Sequence, residues 1–226
     1  MNRMMKLAAS AAILGLTLTG CINVLPKTKP VTLYRFAFTP PEGQAVTPSA
    51  AIPVALSLGA IQFPQDSAGD RVTTVEDNEI SYVAQARWTA PVESLFNDAV
   101  SEGFARSDGQ VRLDTRGLTM APYRLDISVR RFETMYTHNK PTVSVALDAR
   151  IIRMSDKAVV GQKFITEEVD TKRNNMEVMV DGYNQATTAA VNDLVAFSTA
   201  TLAPLAEPAT PMTQVPDNGK QKAEGL

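Results

Sequence analysis

Apolar and polar positions alternate along much of the chain, and a period of two residues predicts β-strands. The alternation is clearest in residues 123–135 and 142–154, and it continues in 158–169 after a polar turn. Three such strands in series indicate an antiparallel sheet with one solvent-exposed face. Shorter patterns predict further strands at residues 31–38, 52–63, 71–75 and 79–84.

Two other segments have the period of an amphipathic helix. The first begins near Thr89, a candidate N-cap, and Pro91 fits its first turn because proline lacks the N–H that would be unpaired there. The second runs from about Asn175 to Leu202 and stops before Pro204. Two main helices on one face of a mostly antiparallel or mixed sheet predict the α+β class, as a two-layer sandwich.

The first twenty residues have the pattern of an export signal, with Arg3 and Lys6 ahead of an uncharged apolar run. This run is too short to span a bilayer comfortably. It ends in Leu-Thr-Gly-Cys at residues 18–21, which resembles the bacterial lipobox, and Cys21 is the only cysteine of the chain. The alternative is a plain secretory signal with an incidental cysteine.

The lipobox resemblance implies lipidation of Cys21. In such signals a diacylglycerol joins the thiol, the leader is cut before the cysteine, and the new amine takes an N-acyl chain such as palmitate. We expect no other cofactor. Ile22 stands where an aspartate favours inner-membrane retention in Gram-negative lipoproteins. The resemblance therefore implies the periplasmic face of the outer membrane.

These features divide the chain into four parts. A lipoprotein signal peptide occupies residues 1–20, and the lipidated cysteine with a proline-bearing tether occupies 21–30. The folded domain is predicted at 31–202. Four prolines and no apolar period predict a disordered, Pro-rich tail at 203–226.

Composition excludes several classes of function. With 22 Lys and Arg against 24 Asp and Glu, the net charge of -2 argues against a nucleic-acid partner. Paired basic residues such as Arg130-Arg131 lie in alternating segments and indicate a solvated sheet face. One Cys and one His are too few for a disulfide framework or a zinc site built from those residues, so we expect no metal.

Candidate catalytic residues are few. His138 lies in a polar turn between predicted strands, and no Gly-x-Ser-x-Gly motif accompanies it. Glu167, Glu168 and Asp170 form an acidic cluster, but neighbours on a strand point to opposite faces. We therefore predict that the protein is not an enzyme and has no catalytic residue. An anchored hydrolase remains a third alternative.

The segment from Asn78 to Val92 resembles a stretch of the ABC-type transport auxiliary lipoprotein family. Its characteristic residues here are a turn asparagine, a strand tyrosine, an Arg-Trp pair and a helix-entry proline: Asn78, Tyr82, Arg87, Trp88 and Pro91. The family includes the lipoprotein of paraquat-inducible, mammalian-cell-entry-type systems.

The resemblance implies a non-enzymatic lipoprotein that assists an ABC transporter in moving lipid or hydrophobic compounds across the Gram-negative envelope. The implied partners are the membrane, a periplasmic protein of mammalian-cell-entry type and phospholipid. Homo-oligomerisation stays open. The alternative is an outer-membrane assembly or scaffolding lipoprotein that is not linked to a transporter.

The motif residues also have structural interpretations. Tyr82 and Trp88 are expected to pack a strand against the following helix, with ligand contact as the alternative. Asn78 is expected in a turn, and Arg87 is expected to stabilise that region or to pair with an acid. Met176 and Met179 either fill the core or belong to a lipid-binding surface.

Overall fold

The computed structural model describes residues 30–40, 53–115, 117 and 120–205. The predicted signal peptide, Cys21 and nearly all of the tether lie outside these residues, as does the predicted tail from 206 onward. Within the described ranges there are eight strands: β1 Thr32–Tyr34, β2 Val54–Gln62, β3 Arg71–Glu76, β4 Glu79–Trp88, β5 Val111–Asp114, β6 Tyr123–Thr137, β7 Lys140–Arg153 and β8 Val159–Asp170. The two helices are α1 Val92–Ala105 and α2 Met176–Leu202, and a 3-10 turn follows at Ala203–Leu205.

Strand β6 organises the sheet. One of its edges pairs antiparallel with β7 along nearly its whole length, and β7 in turn pairs antiparallel with β8. Its other edge is shared by two parallel strands, β2 against residues 123–128 and β3 against residues 134–136. Strands β5 and β4 extend the sheet beyond these two, and β1 pairs parallel with β4. The sheet is therefore mixed.

Strand β1 is shorter than the pattern of residues 31–38 predicts. After Tyr34 the backbone bonds to helix α2: the Ala37 N–H donates to Asn184 Oδ1 at 3.0 Å, and the Thr39 N–H donates to Thr188 Oγ1 at 2.9 Å. Phe36 is only 1% exposed, in the core. Residues 35–38 therefore alternate because they lie against a helix, and not because they form a strand.

The starts of the two helices agree with the predicted N-cap residue in one case and not in the other. Asn175 caps α2, because its Oδ1 accepts a hydrogen bond from the Val178 N–H at 2.9 Å, and this confirms the predicted start. The prediction of Thr89 as the N-cap of α1 is wrong. The Thr89 N–H instead donates to the Tyr34 carbonyl at 2.8 Å, which continues the pairing of β4 with β1, and Pro91 is the N-cap residue.

Both helices cover the same face of the sheet. The ring of Phe132 on β6 meets Phe96 of α1 at 6.2 Å between centroids and Tyr183 of α2 at 4.9 Å. The helices also touch each other, because Gly103 of α1 leaves room for Val191 of α2. The predicted α+β sandwich, with two main helices on one face of a mixed sheet, is confirmed. Strand β5, at Val111–Asp114, is an addition that the pattern did not predict.

Candidate functional site

The family-like segment forms the hairpin of β3 and β4 and the entry to α1. Asn78 lies in the two-residue turn between these strands, beside Asp77, whose φ of 53° is left-handed. This confirms the predicted turn. Arg87 pairs with Asp70 through Nη1 and Oδ1 at 2.8 Å, as predicted, with both side chains nearly half exposed. Pro91 ends the hairpin segment as the N-cap residue of α1.

The two aromatic residues of the segment have different surroundings. Trp88 is 2% exposed, and its ring meets Phe36 and Tyr183 edge-on, each at 5.1 Å between centroids. Tyr82 is 40% exposed, and the guanidinium carbon of Arg71 lies 4.8 Å from its ring centroid. The core interpretation is therefore confirmed for Trp88 and wrong for Tyr82, because β4 turns the side chain of Tyr82 to the outside.

The residues considered for catalysis lie apart. His138 is exposed in the turn between β6 and β7, where it and Asn139 have φ values of 51° and 61°. Glu168 lies 3.6 Å from Arg131 on the open face of the sheet. Burial, and then the charge of Asp193 on α2, raise the pKa of Glu167, which lies on the helix side of β8. Within the described ranges, no group of three His, Cys, Asp or Glu side chains is placed to hold a metal ion.

The methionines near the start of α2 belong to the core. Met179 is 2% exposed, and Met176 is partly buried against the core cluster. The lipid-surface alternative is wrong for Met179. Of the helices in the described ranges, none has both the length and the apolar composition that crossing a membrane requires.

A groove of about 440 Å³ crosses the open face of the sheet, on the side away from the helices. Strands β2, β6 and β7 form its floor, and Val159 at the start of β8 closes one side. Glycine is required at position 59 in the floor, because a Cβ there would lie only 2.3 Å from Asp126 Oδ1. The charged side chains that line it are three arginines and two aspartates: Arg124, Arg130, Arg150, Asp126 and Asp148.

Asp148 is the buried centre of this groove, with a side chain only 2% exposed. Its Oδ2 accepts a hydrogen bond from Arg150 Nη2 at 3.0 Å and lies 3.7 Å from Arg130 Nη2. Its Oδ1 accepts from Gln162 Nε2 at 3.0 Å. Arg124 forms a separate bidentate pair with Asp126, at 2.8 and 2.9 Å, and this pairing raises the pKa of Arg124.

Sequence reasoning assigned these charges to a solvated sheet face and did not find the groove. The alternation of the 123–135 segment puts Arg124, Asp126 and Arg130 on one face of the strand, and the structure agrees. It could not place Asp148 beside Arg130, because that depends on the register of β6 against β7 and on the irregularity between Val129 and Arg131.

A second, more open groove lies at the end of the sheet, between the two hairpin turns. It is lined by polar and acidic side chains that include Glu76, Glu79 and Tyr136. Burial, and then the charge of Glu76, raise the pKa of Tyr136, whose hydroxyl donates to Asn174 Oδ1 at 2.8 Å. Among the described residues, the side chains that line this groove are acidic or neutral, which is a poor match for an anionic ligand.

Comparisons with known proteins identify the family of this chain and solved structures that share its fold. The model of the family described as "ABC-type transport auxiliary lipoprotein component" matches residues 36–195. A crystal structure of a Xanthomonas campestris protein, of family-model DUF330, has a TM-score of 0.63 at 23% identity and covers 75% of this chain and 96% of that chain. A hypothetical protein from Chlamydia trachomatis has a TM-score of 0.52 at 7% identity, covering 68% and 99%. At these identities the structures show a shared fold. No curated protein matches the chain.

Proposed function

The chain belongs to the ABC-type transport auxiliary lipoprotein family, and on this premise we propose that it is a non-enzymatic, membrane-anchored component of a system that moves lipid or hydrophobic compounds across the Gram-negative envelope. The observation that carries the proposal is the presence, in one chain, of a lipobox-like sequence ending at Cys21 and a family match over residues 36–195.

The anchor is the first element of the proposed mechanism. A diacylglycerol and an N-acyl chain on Cys21 would each bury a run of methylene groups, at about 0.8 kcal/mol per group, and two or more chains hold a protein stably on a bilayer. Ile22 in place of aspartate supports the periplasmic face of the outer membrane. A tethered domain has a high local concentration beside that bilayer, which favours binding to partners that reach it.

The partner in this proposal is a periplasmic protein of mammalian-cell-entry type that belongs to an ABC transporter, and the cargo class includes phospholipid. A binding role agrees with the placement of the titratable groups. His138 lies in an exposed turn, and Glu167 and Glu168 face opposite sides of β8, so these residues do not form a general acid–base pair.

Deletion of the gene and complementation test the proposal. We expect the deletion to raise detergent sensitivity and to disturb outer-membrane lipid asymmetry, and we expect the wild-type chain to restore both. The Cys21→Ala variant, which cannot accept diacylglycerol, should fail to restore them. Ser10→Ala, a matched change within the leader, should restore them fully. Wild-type resistance and asymmetry in the deletion strain under every condition would contradict the proposal.

Crosslinking in cells separates this proposal from the scaffolding alternative. After capture of the crosslinked lipoprotein, enrichment of a mammalian-cell-entry-type protein supports the transport role. Enrichment of outer-membrane assembly components, without any transporter subunit, favours a scaffolding lipoprotein.

A further inference from the structure

The groove on the open sheet face carries unequal charges. Its three arginines face two aspartates. Arg124 and Asp126 pair with each other through two hydrogen bonds, so their charges balance within the pair. Arg130 and Arg150 then share one carboxylate, that of Asp148. The set of lining residues therefore keeps one positive charge that no lining carboxylate balances.

The carboxylate in the groove is buried and the two arginines above it are exposed, which favours binding of an anion by the arginines. The side chain of Asp148 is 2% exposed, whereas those of Arg130 and Arg150 are 60% and 49% exposed. A buried carboxylate holds the two guanidinium groups in place, and their other N–H groups remain open to solvent. Guanidinium groups bind phosphate through paired, charge-assisted hydrogen bonds, and positioning them beforehand lowers the entropy cost of binding.

Apolar side chains lie next to this charge on the same face. Phe164 of β8 pairs directly with Asp148 of β7 and is 69% exposed. Val159, which lines the groove and pairs with Ile152, is 55% exposed. Exposed apolar side chains beside a basic groove match a ligand that has both an anionic and an apolar part.

We propose that this groove binds the phosphate group of an anionic phospholipid, with Arg130 and Arg150 on the phosphate and Phe164 and Val159 against the adjoining apolar part. This inference rests on the proposed lipid-handling function and places the lipid-binding site in this groove. The groove is the docking surface, and its occupant is the headgroup region of a single lipid molecule.

Native mass spectrometry of the full lipoprotein in non-ionic detergent tests this. Dimyristoyl phosphatidylglycerol is the probe, dimyristoylglycerol supplies the apolar part alone, and inorganic phosphate supplies the anion alone. We expect phosphatidylglycerol to bind at least about tenfold more tightly than either, because only this lipid engages both parts of the groove. Equal affinity for inorganic phosphate and for the lipid would overturn the assignment to a lipid.

Two variants locate the site. Arg130→Gln removes one guanidinium while Arg150 continues to pair with Asp148, so the fold should persist, and affinity for phosphatidylglycerol should fall about tenfold. Arg112→Gln on β5, outside the groove, is the matched control and should bind as the wild type does. Phe164→Ser removes an exposed side chain and should weaken both lipids and leave inorganic phosphate unaffected. Wild-type affinity in Arg130→Gln, or in Phe164→Ser, would overturn the proposal.

Failure of this inference and failure of the proposed function give different results. If the deletion strain is defective but Arg130→Gln binds lipid normally, the function stands and the groove is not the site. If the purified protein loses lipid binding in Arg130→Gln but the deletion strain behaves as wild type, the groove stands and the transport role fails.

Discussion

The contact between the two helices gives the sharpest test of the packing. Gly103 lies on α1 and is buried, and a Cβ built there would lie 2.2 Å from Val191 Cγ1 on α2. Carbon atoms in favourable contact stay about 3.5–4.0 Å apart. Alanine at position 103 therefore cannot be accommodated unless Val191 moves, and Val191 itself is 0% exposed in the core.

The expected loss follows from two opposing effects. Alanine in a helix interior is more stable than glycine by about 1 kcal/mol. Forcing an extra methyl group into a packed core costs about 1–3 kcal/mol, and an overlap of more than an ångström belongs at the upper end. We therefore expect Gly103→Ala to lower the free energy of unfolding by about 2 kcal/mol.

The double variant makes the prediction specific to this contact. Val191→Ala alone should cost about 2 kcal/mol, from two lost methyl groups and a small cavity. In Gly103→Ala/Val191→Ala the new methyl group occupies part of that cavity, so the combined loss should be well below the sum of the single losses. A coupling of about 1.5 kcal/mol or more is expected.

Urea denaturation of the purified chain measures these values. The fluorescence of Trp88, the only tryptophan, reports unfolding because the residue is 2% exposed in the folded state. Gly69→Ala is the matched control, since a Cβ there meets nothing within 4 Å. Its stability should stay within about 0.5 kcal/mol of the wild type. Additive losses in the double variant would refute the reasoning.

Other predictions concern single side chains. Burial raises the pKa of Tyr183, so as the pH rises above about 10 the unfolded chain releases this proton before the folded chain does. The free energy of unfolding should therefore fall as the pH rises above about 10. Tyr183→Phe has no such proton, so its free energy of unfolding should fall less in alkaline denaturation. At neutral pH the same variant should cost about 1 kcal/mol, because Thr134 loses its buried 3.2 Å partner. In urea denaturation followed by far-UV circular dichroism, since one of the variants lacks the only tryptophan, Trp88→Ala should cost about 3–5 kcal/mol and the exposed Tyr82→Ala less than about 1 kcal/mol; similar losses would contradict their assigned burial. The hydroxyl of Thr187 is buried without a hydrogen-bond partner among the described residues, so Thr187→Val should raise the melting temperature, and a lower one would show an unseen partner.

Local periodicity predicted the elements whose pattern and environment agree. Strand β6 alternates between buried and more exposed residues because one face packs on the helices and the other is open. Strand β7 has the same sequence pattern, although its residues 143–149 are buried on both faces. The two helices carry continuous apolar faces. The pattern failed at residues 35–38, where the backbone bonds to α2 about 150 residues away in sequence. Strand β5 has only four residues, which is too few to show a period.

The candidate site was less accessible to sequence reasoning. The motif residues were predicted from their family resemblance, and the structure separates the buried Trp88 from the exposed Tyr82, which sequence treated alike. The groove depends on which residues oppose each other across three strands. A charge such as Asp148 reads as solvated in sequence, and only the register reveals that it is buried beneath two arginines.

The central claim is that a folded α+β domain is held at a bilayer by acyl chains on Cys21. Intact-protein mass spectrometry of the membrane fraction tests it most directly. The account predicts a mature chain that begins at Cys21 and carries the added mass of a diacylglycerol and an N-acyl chain. An unacylated chain that retains residues 1–20, recovered free in the cytosol, would contradict it.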